Sequence, residues 1–434
     1  MQNVDISELV RNSLLILTLI IVAAKLGGEL LGRMGQPAVL GELLSGVVLG
    51  NLSLFGITLL DPLKTNSMLG VVAELGAILL LFEVGVESDL TQLLKVGWSS
   101  LVVAALGVIA PMALGYAVSM RMMPEATWLT HLFVGGTLTA TSIGITARVL
   151  KDLGRANTKE ARIILGAAVA DDVFGLIVLA VAGGLVTTAV AGSGAAGVSW
   201  GSALWVVAKA ILFLVAAVAV GRFWSQRIFV YAARLRVAGA LLVVCISFCF
   251  LVSALAGLAG LAPIVGAFAA GLVLEEAHYQ EFVDRGELRL GELLFPINTL
   301  LVPVFFVLMG LRMDLRSFAA PGVLGFAVLI TVVAIFSKQI CGLGVLERGV
   351  DRLVIGVGMI PRGEVGLIFA SLGSTLMLHD QAVLSKTTFS ALVLMVMLTT
   401  FITPPILKFA FDRKGKLAPI GTGEPAEPKR IKVD

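Results

Sequence analysis

Residues Leu165–Gly184 read LGAAVADDVFGLIVLAVAGG, and Asp171 and Asp172 are the only polar side chains in the run. About 20 apolar residues in a helix cross the ~30 Å hydrocarbon core of a bilayer. The two acids therefore sit where water is scarce. A central aspartate costs roughly 2.5–3.5 kcal/mol to insert, so the pair costs about 5–7 kcal/mol unless paired, hydrated or protonated. A hydrated pair at a helix end is the bland alternative. It fits poorly, because both acids lie about ten residues inside a span expected at 160–188.

The rest of the chain has the composition of a membrane protein. Of 434 residues, 58% are hydrophobic and 14% charged, with a mean hydropathy of +1.00. Soluble domains carry about 25% charged residues, so a soluble fold is excluded. The 48 glycines suit helices that pack closely in lipid. The apolar runs are near 20 residues and do not alternate, which predicts helices rather than a barrel. Cys245, Cys249 and Cys341 all lie in such runs with no His or acid to complete a metal set, and read as small buried hydrophobes. No cofactor, nucleic-acid partner or enzymatic activity is expected.

Apolar runs place spans near 12–32, 36–57, 68–86, 96–120, 127–149, 160–188 and 203–222. After a basic amphipathic stretch, further spans follow at 239–258, 260–275, 292–311, 319–345, 352–378 and 383–411. The start MQNVDISELVR lacks the basic n-region of a signal peptide, so the first run reads as a retained helix. The tail 412–434 reads as disordered, with no regulatory domain expected after it. Thirteen spans put the termini on opposite sides. Twenty-two Lys and Arg lie in loops on the C-terminal side, against six on the other (Arg11, Lys64, Arg121, Arg312, Arg316 and Lys386). This bias places the C-terminus in the cytoplasm and the N-terminus outside.

With the seventh span as connector, six spans precede and six follow, and an offset of seven pairs span five with span twelve. Both are interrupted. Span five holds GGTLTATSIGITARVL, and span twelve holds GVGMIPRGEVGLIFASLG with Pro361 and Arg362 at its break. Matched broken helices in two halves point to a secondary-transporter site, because opened backbone survives at membrane depth only around a cavity.

The remaining intramembrane charges are few. Consecutive aspartates point about 100° apart around a helix, so each can face a different partner. A buried carboxylate beside a like charge holds either a proton or a hard cation, but hardly both. That competition is the core of cation/proton exchange. Lys338, in AIFSKQICGLG, either snorkels to the cytoplasmic edge or pairs with one of the aspartates. Arg362 needs a carboxylate partner, for which Glu74 and Glu364 are the candidates, and such a pair reads as scaffold electrostatics. His131, in the first turn of span five, reads as an interfacial residue.

These residues resemble the cation/proton antiporter superfamily, in particular its NapA/KefB-type branch. The matching stretches are GQPAVLGELLSGVVLG, ELGAILLLFEVGVE, TATSIGITARVL, AVADDVFGLIVLA, GLAPIVGAFAAGLVLE, PVFFVLMGLRMDL and PRGEVGLIFASLG, in order from about Gln36 to Pro405. The resemblance implies an all-α membrane protein of about thirteen helices, built as two inverted six-helix repeats with crossed broken helices. It implies a dimerising scaffold of helices 1–3 (12–86) and 8–10 (239–311), and a core of helices 4–6 (96–188) and 11–13 (319–411). A connecting helix and cytoplasmic segment, 203–238, joins the halves. Asp172 is then the main cation and proton carboxylate, and Asp171 its partner, paired to Lys338 when no cation is bound. Thr141 and Ser142 lend oxygen ligands, and Arg362 balances the charge of the cavity. The implied activity is electrogenic Na⁺(Li⁺)/H⁺ antiport by movement of core against scaffold, in a homodimer of a bacterial inner membrane.

Three other readings compete. A K⁺/H⁺ antiporter of the Kef type, here without its regulatory domain, uses the same residues. A cation channel of the same fold differs only in lacking obligatory proton coupling. An intramembrane aspartyl protease needs two aspartates facing each other, whereas these are adjacent on one helix and diverge. Ion identity depends on cavity size and field strength, which residue types do not reveal.

Overall fold

The computed structural model describes residues 6–87, 97–155, 158–191, 239–274, 288–378 and 381–415, and parts of 204–227. The described residues are mostly helical. In order, the helices are α1 (Ile6–Arg33), α2 (Ala38–Gly50), α3 (Ser67–Glu87), α4 (Trp98–Met122), α5 (Trp128–Thr137), α6 (Ile143–Asp152) and α7 (Lys159–Ala191). There follow α8 (Ala240–Leu258), α9 (Pro263–Val273), α10 (Leu290–Arg312), α11 (Val323–Gln339), α12 (Arg352–Gly358), α13 (Glu364–Thr375) and α14 (Lys386–Gly415). Eight helices among the described residues are long and apolar enough to cross a membrane. The expected span 203–222 is described only in part, and all of 228–238 and most of the tail lie outside the described residues.

Local chemistry sets several of the helix starts. Thr127 caps α5 by accepting from the Thr130 amide, and Asp351 caps α12 by accepting from the Leu353 amide. Pro263 opens α9, where its missing N–H costs nothing. Among the described residues the only strands are a short antiparallel pair, Met377–Leu378 with Gln381–Ala382, where span twelve was expected to end.

Packing divides the helices into two groups. One holds α1, α2, α3, α8, α9 and α10, with α3 against α9 and α10, and α2 against α1 and α10. The other holds α4 to α7 and α11 to α14, with α4 against α5, α7 and α11. The first group is close-packed through glycine. A Cβ built on Gly46 would strike the Val307 carbonyl, and one on Gly310 would strike that of Leu43, so α2 and α10 meet backbone to backbone.

Candidate ion-binding site

Two helix breaks meet in the second group. The first, residues 138–142, separates α5 from α6; the second, 359–363, separates α12 from α13. The strands of opened backbone satisfy one another. The Ser142 amide donates to Pro361 O at 2.9 Å, Thr146 Oγ1 to Gly358 O at 2.9 Å, and Thr141 Oγ1 to Met359 O at 3.3 Å. These bonds use the carbonyls that end α12, which in lipid have no water to turn to.

The carbonyls past the end of α5 are met by two cations instead. Lys338 Nζ donates to Thr139 O at 2.6 Å and to Gly107 O at 2.8 Å, and Arg362 Nη1 donates to Ala140 O at 3.1 Å. Positive charge is favoured at that end of a helix. Lys338 also lies 3.3 Å from Asp171 Oδ2, and all three of Lys338, Asp171 and Arg362 are fully buried. Lys338 therefore does not snorkel. Gly107 leaves room for the pair: a Cβ there would come within 3.3 Å of Lys338 Nζ and 3.4 Å of Asp171 Oδ1.

Asp172 points elsewhere, as consecutive helix positions require. It is 3% exposed and makes no hydrogen bond with another described residue. The charges it feels most are those of Glu364, Asp171 and Lys338. Glu364 stands in the first turn of α13, the end that favours an acid, and accepts from Ser142 Oγ at 3.3 Å. Asp172, Glu364, Ser142 and Thr141 thus gather oxygens of both breaks and of α7 in one region. Among the described residues no three His, Cys, Asp or Glu side chains converge tightly enough to cage a resident metal.

One expectation needs correction. Arg362 is not held by Glu74 or Glu364: its guanidinium donates to the main-chain carbonyls of Ala140 and Ala334, both at 3.1 Å, and Nε has no partner. Glu74 instead faces a separate cavity with Arg312. His131, in the first turn of α5, is 4% exposed, with Nδ1 2.8 Å from Ser119 Oγ and its ring edge-on to Tyr116. Sequence reasoning missed Gly107, Thr139, Thr146 and Thr400, the last donating to Arg362 O. Thr139 and Thr146 fall in the Thr-rich stretch already singled out. Gly107 and Thr139 act through carbonyls, which no residue type announces.

The family description "sodium/hydrogen exchanger, transmembrane" matches residues 15–413. The chain belongs to the sodium/hydrogen exchanger family. It is 38% identical to the high-affinity Na⁺/H⁺ antiporter NhaS3 of Synechocystis sp., covering 92% of this chain and 90% of that protein. It is 34% identical to the Na⁺/H⁺-K⁺ antiporter GerN of Bacillus cereus, over 92% and 96% of the two chains. The fold is also that of the sodium proton antiporter MjNhaP1 from Methanocaldococcus jannaschii, with a TM-score of 0.68 at 15% identity over 95% of this chain and all of that one. The chain is thus a multi-pass membrane protein of an antiporter family.

Proposed function

We propose that the chain is an electrogenic Na⁺(Li⁺)/H⁺ antiporter in which cation and proton compete for Asp172. The observation that carries this is a charge balance. Lys338 lies 3.3 Å from Asp171 and offsets its charge, while the ionised Asp172, buried beside that pair on the same helix, brings one further negative charge. In a medium of low dielectric, one monovalent cation or one proton offsets that charge, and both together overshoot. Asp172 takes the ion because its carboxylate is the one without a hydrogen-bond partner among the described residues. Ser142 and Thr141 supply neutral oxygens, and Asp171 stays paired with Lys338 until a cation draws it away. Exchange of more protons than cations follows if the Lys338–Asp171 pair also gives up a proton in each cycle.

The two packing groups support alternating access by movement of α4–α7 and α11–α14 against the α1–α3 and α8–α10 scaffold, which we assign as the dimerising part. We place the N-terminus outside and the C-terminus in the cytoplasm. K⁺/H⁺ exchange is the second reading, favoured by the similarity to an antiporter named for both Na⁺ and K⁺. The test is reconstitution into liposomes with an internal pH dye. Na⁺ and Li⁺ should drive proton movement faster than K⁺, and clamping the membrane potential should accelerate it. A higher rate with K⁺ would favour the second reading. Cation flux without proton movement would indicate a channel and overturn antiport.

A further inference from the structure

A cavity of about 360 Å³ lies between the two packing groups, lined by α3 (Ser67, Gly70, Glu74), α10 (Phe305, Arg312) and α13 (Ile368, Ser371). Among its lining residues Glu74 is the one acid and Arg312 the one base. Glu74 is exposed to this space although it lies two turns inside α3. The Arg312 guanidinium crosses from α10 to α3: an ideal Cβ on Gly70 would sit 3.9 Å from its Nη2. Gly70 is one turn before Glu74 on the same helix face. Their opposite charges act on each other across the cavity, yet no direct ion pair closes between them among the described residues.

The floor of this cavity leads toward the ion site. Ile368 stands one helical turn beyond Glu364 on α13, a rise of about 6 Å. Ile368, Phe305 and Met309 line the cavity on its α13 and α10 sides and are themselves buried, so this wall is apolar. Above the cavity lies a second space of about 500 Å³, sharing Arg312 and Thr375 with the first. Its charged lining is Lys64, Arg312, Arg316 and Lys386 against Asp61 and Asp314. Lys64 is bound to Asp61 at 2.7 Å, which leaves the mouth basic. A cation approaching from this side meets repulsion before it meets any carboxylate near the site.

We propose that Glu74 makes this route passable to cations by cancelling Arg312, so that the Glu74–Arg312 couple sets the apparent affinity for Na⁺ on the face of the membrane that carries Lys64 and Lys386. The inference rests on the antiport reading above and adds a residue of the access route to it. Low-dielectric clefts focus the field of their charges and change local ion concentration by tenfold or more. Glu74→Gln leaves Arg312 uncancelled, and the apparent KM for Na⁺ on that face should rise about tenfold. The KM on the opposite face should stay within about twofold if Glu74 acts on this route alone. Adding Arg312→Gln to Glu74→Gln should restore most of the lost affinity. The rise should also shrink at high choline chloride, because the crevice is open enough to be screened.

The experiment is Na⁺-driven proton movement in right-side-out and in everted membrane vesicles, for wild type and the two variants. A wild type that moves no protons would refute antiport itself, leaving nothing for Glu74 to modulate. With wild type active, an unchanged KM in Glu74→Gln on both faces would overturn the proposal. So would an equal change on both faces, or a loss that Arg312→Gln fails to rescue, since a merely structural role for Glu74 gives those results.

Discussion

Replacing Arg362 by Met tests whether this residue is structural or ion-binding. The guanidinium is fully buried and bridges Ala140 O, in the first helix break, to Ala334 O, on α11. Hydrogen bonds from a charged group are worth roughly 1.5–3 kcal/mol each, so the two contribute about 3–6 kcal/mol. Against this stands the buried Nε without a partner, a cost of about 1–3 kcal/mol that Met removes. Met fills the volume but leaves two carbonyls without donors at membrane depth, and a net loss of about 2–4 kcal/mol results. The assay is size-exclusion of detergent-solubilised protein after heating, which should show Arg362→Met melting several degrees below wild type. Arg362→Lys, which keeps the charge but not the fork, should fall between them. A Met variant that melts with wild type and has lost Na⁺ affinity would refute the reasoning and move Arg362 into the ion site.

Other substitutions address the neighbouring parts of the site. Lys338→Gln removes the ammonium from Asp171, Gly107 O and Thr139 O; exchange in liposomes should slow at least tenfold, about 1.4 kcal/mol of barrier, with fewer protons moved per cation. An unchanged rate and ratio would mean that the buried pair takes no part. Thr146→Val deprives Gly358 O of its donor at the crossing of the breaks, and should lower stability by about 1 kcal/mol, measured by the same heating assay. Gly310→Val drives a side chain into the Leu43 carbonyl and should abolish recovery of folded protein, whereas the exposed Gly291, with nothing within 4 Å, should tolerate Ala.

The fold was legible because charges in apolar runs are scarce and breaks in them are scarcer. Asp171, Asp172 and Lys338 stood out as residues that lipid would not accept without a partner. The Thr- and Gly-rich run at 135–144 and the Pro361–Gly363 run marked the two breaks. What could not be read was the main chain. Arg362 was expected to find a carboxylate because sequence displays side chains, while its partners are carbonyls, including one that a break sets free. A broken helix ends in carbonyls that need donors, and that rule points to Arg362 and Lys338 in hindsight. Glu74 was misassigned because its partner depends on how α3 meets α10. The burial of His131 was not legible because it comes from Tyr116 and Ser119 of α4, a packing that helix numbering alone does not show.

The most direct test of the central claim is Na⁺ binding to the solubilised protein by titration calorimetry, run in buffers of different ionisation enthalpy. Competition at Asp172 requires that Na⁺ binding to wild type release protons, seen as a heat that depends on the buffer. Asp172→Asn should lose both the binding and the buffer-dependent heat. A variant that binds Na⁺ as wild type does and releases as many protons would contradict the account.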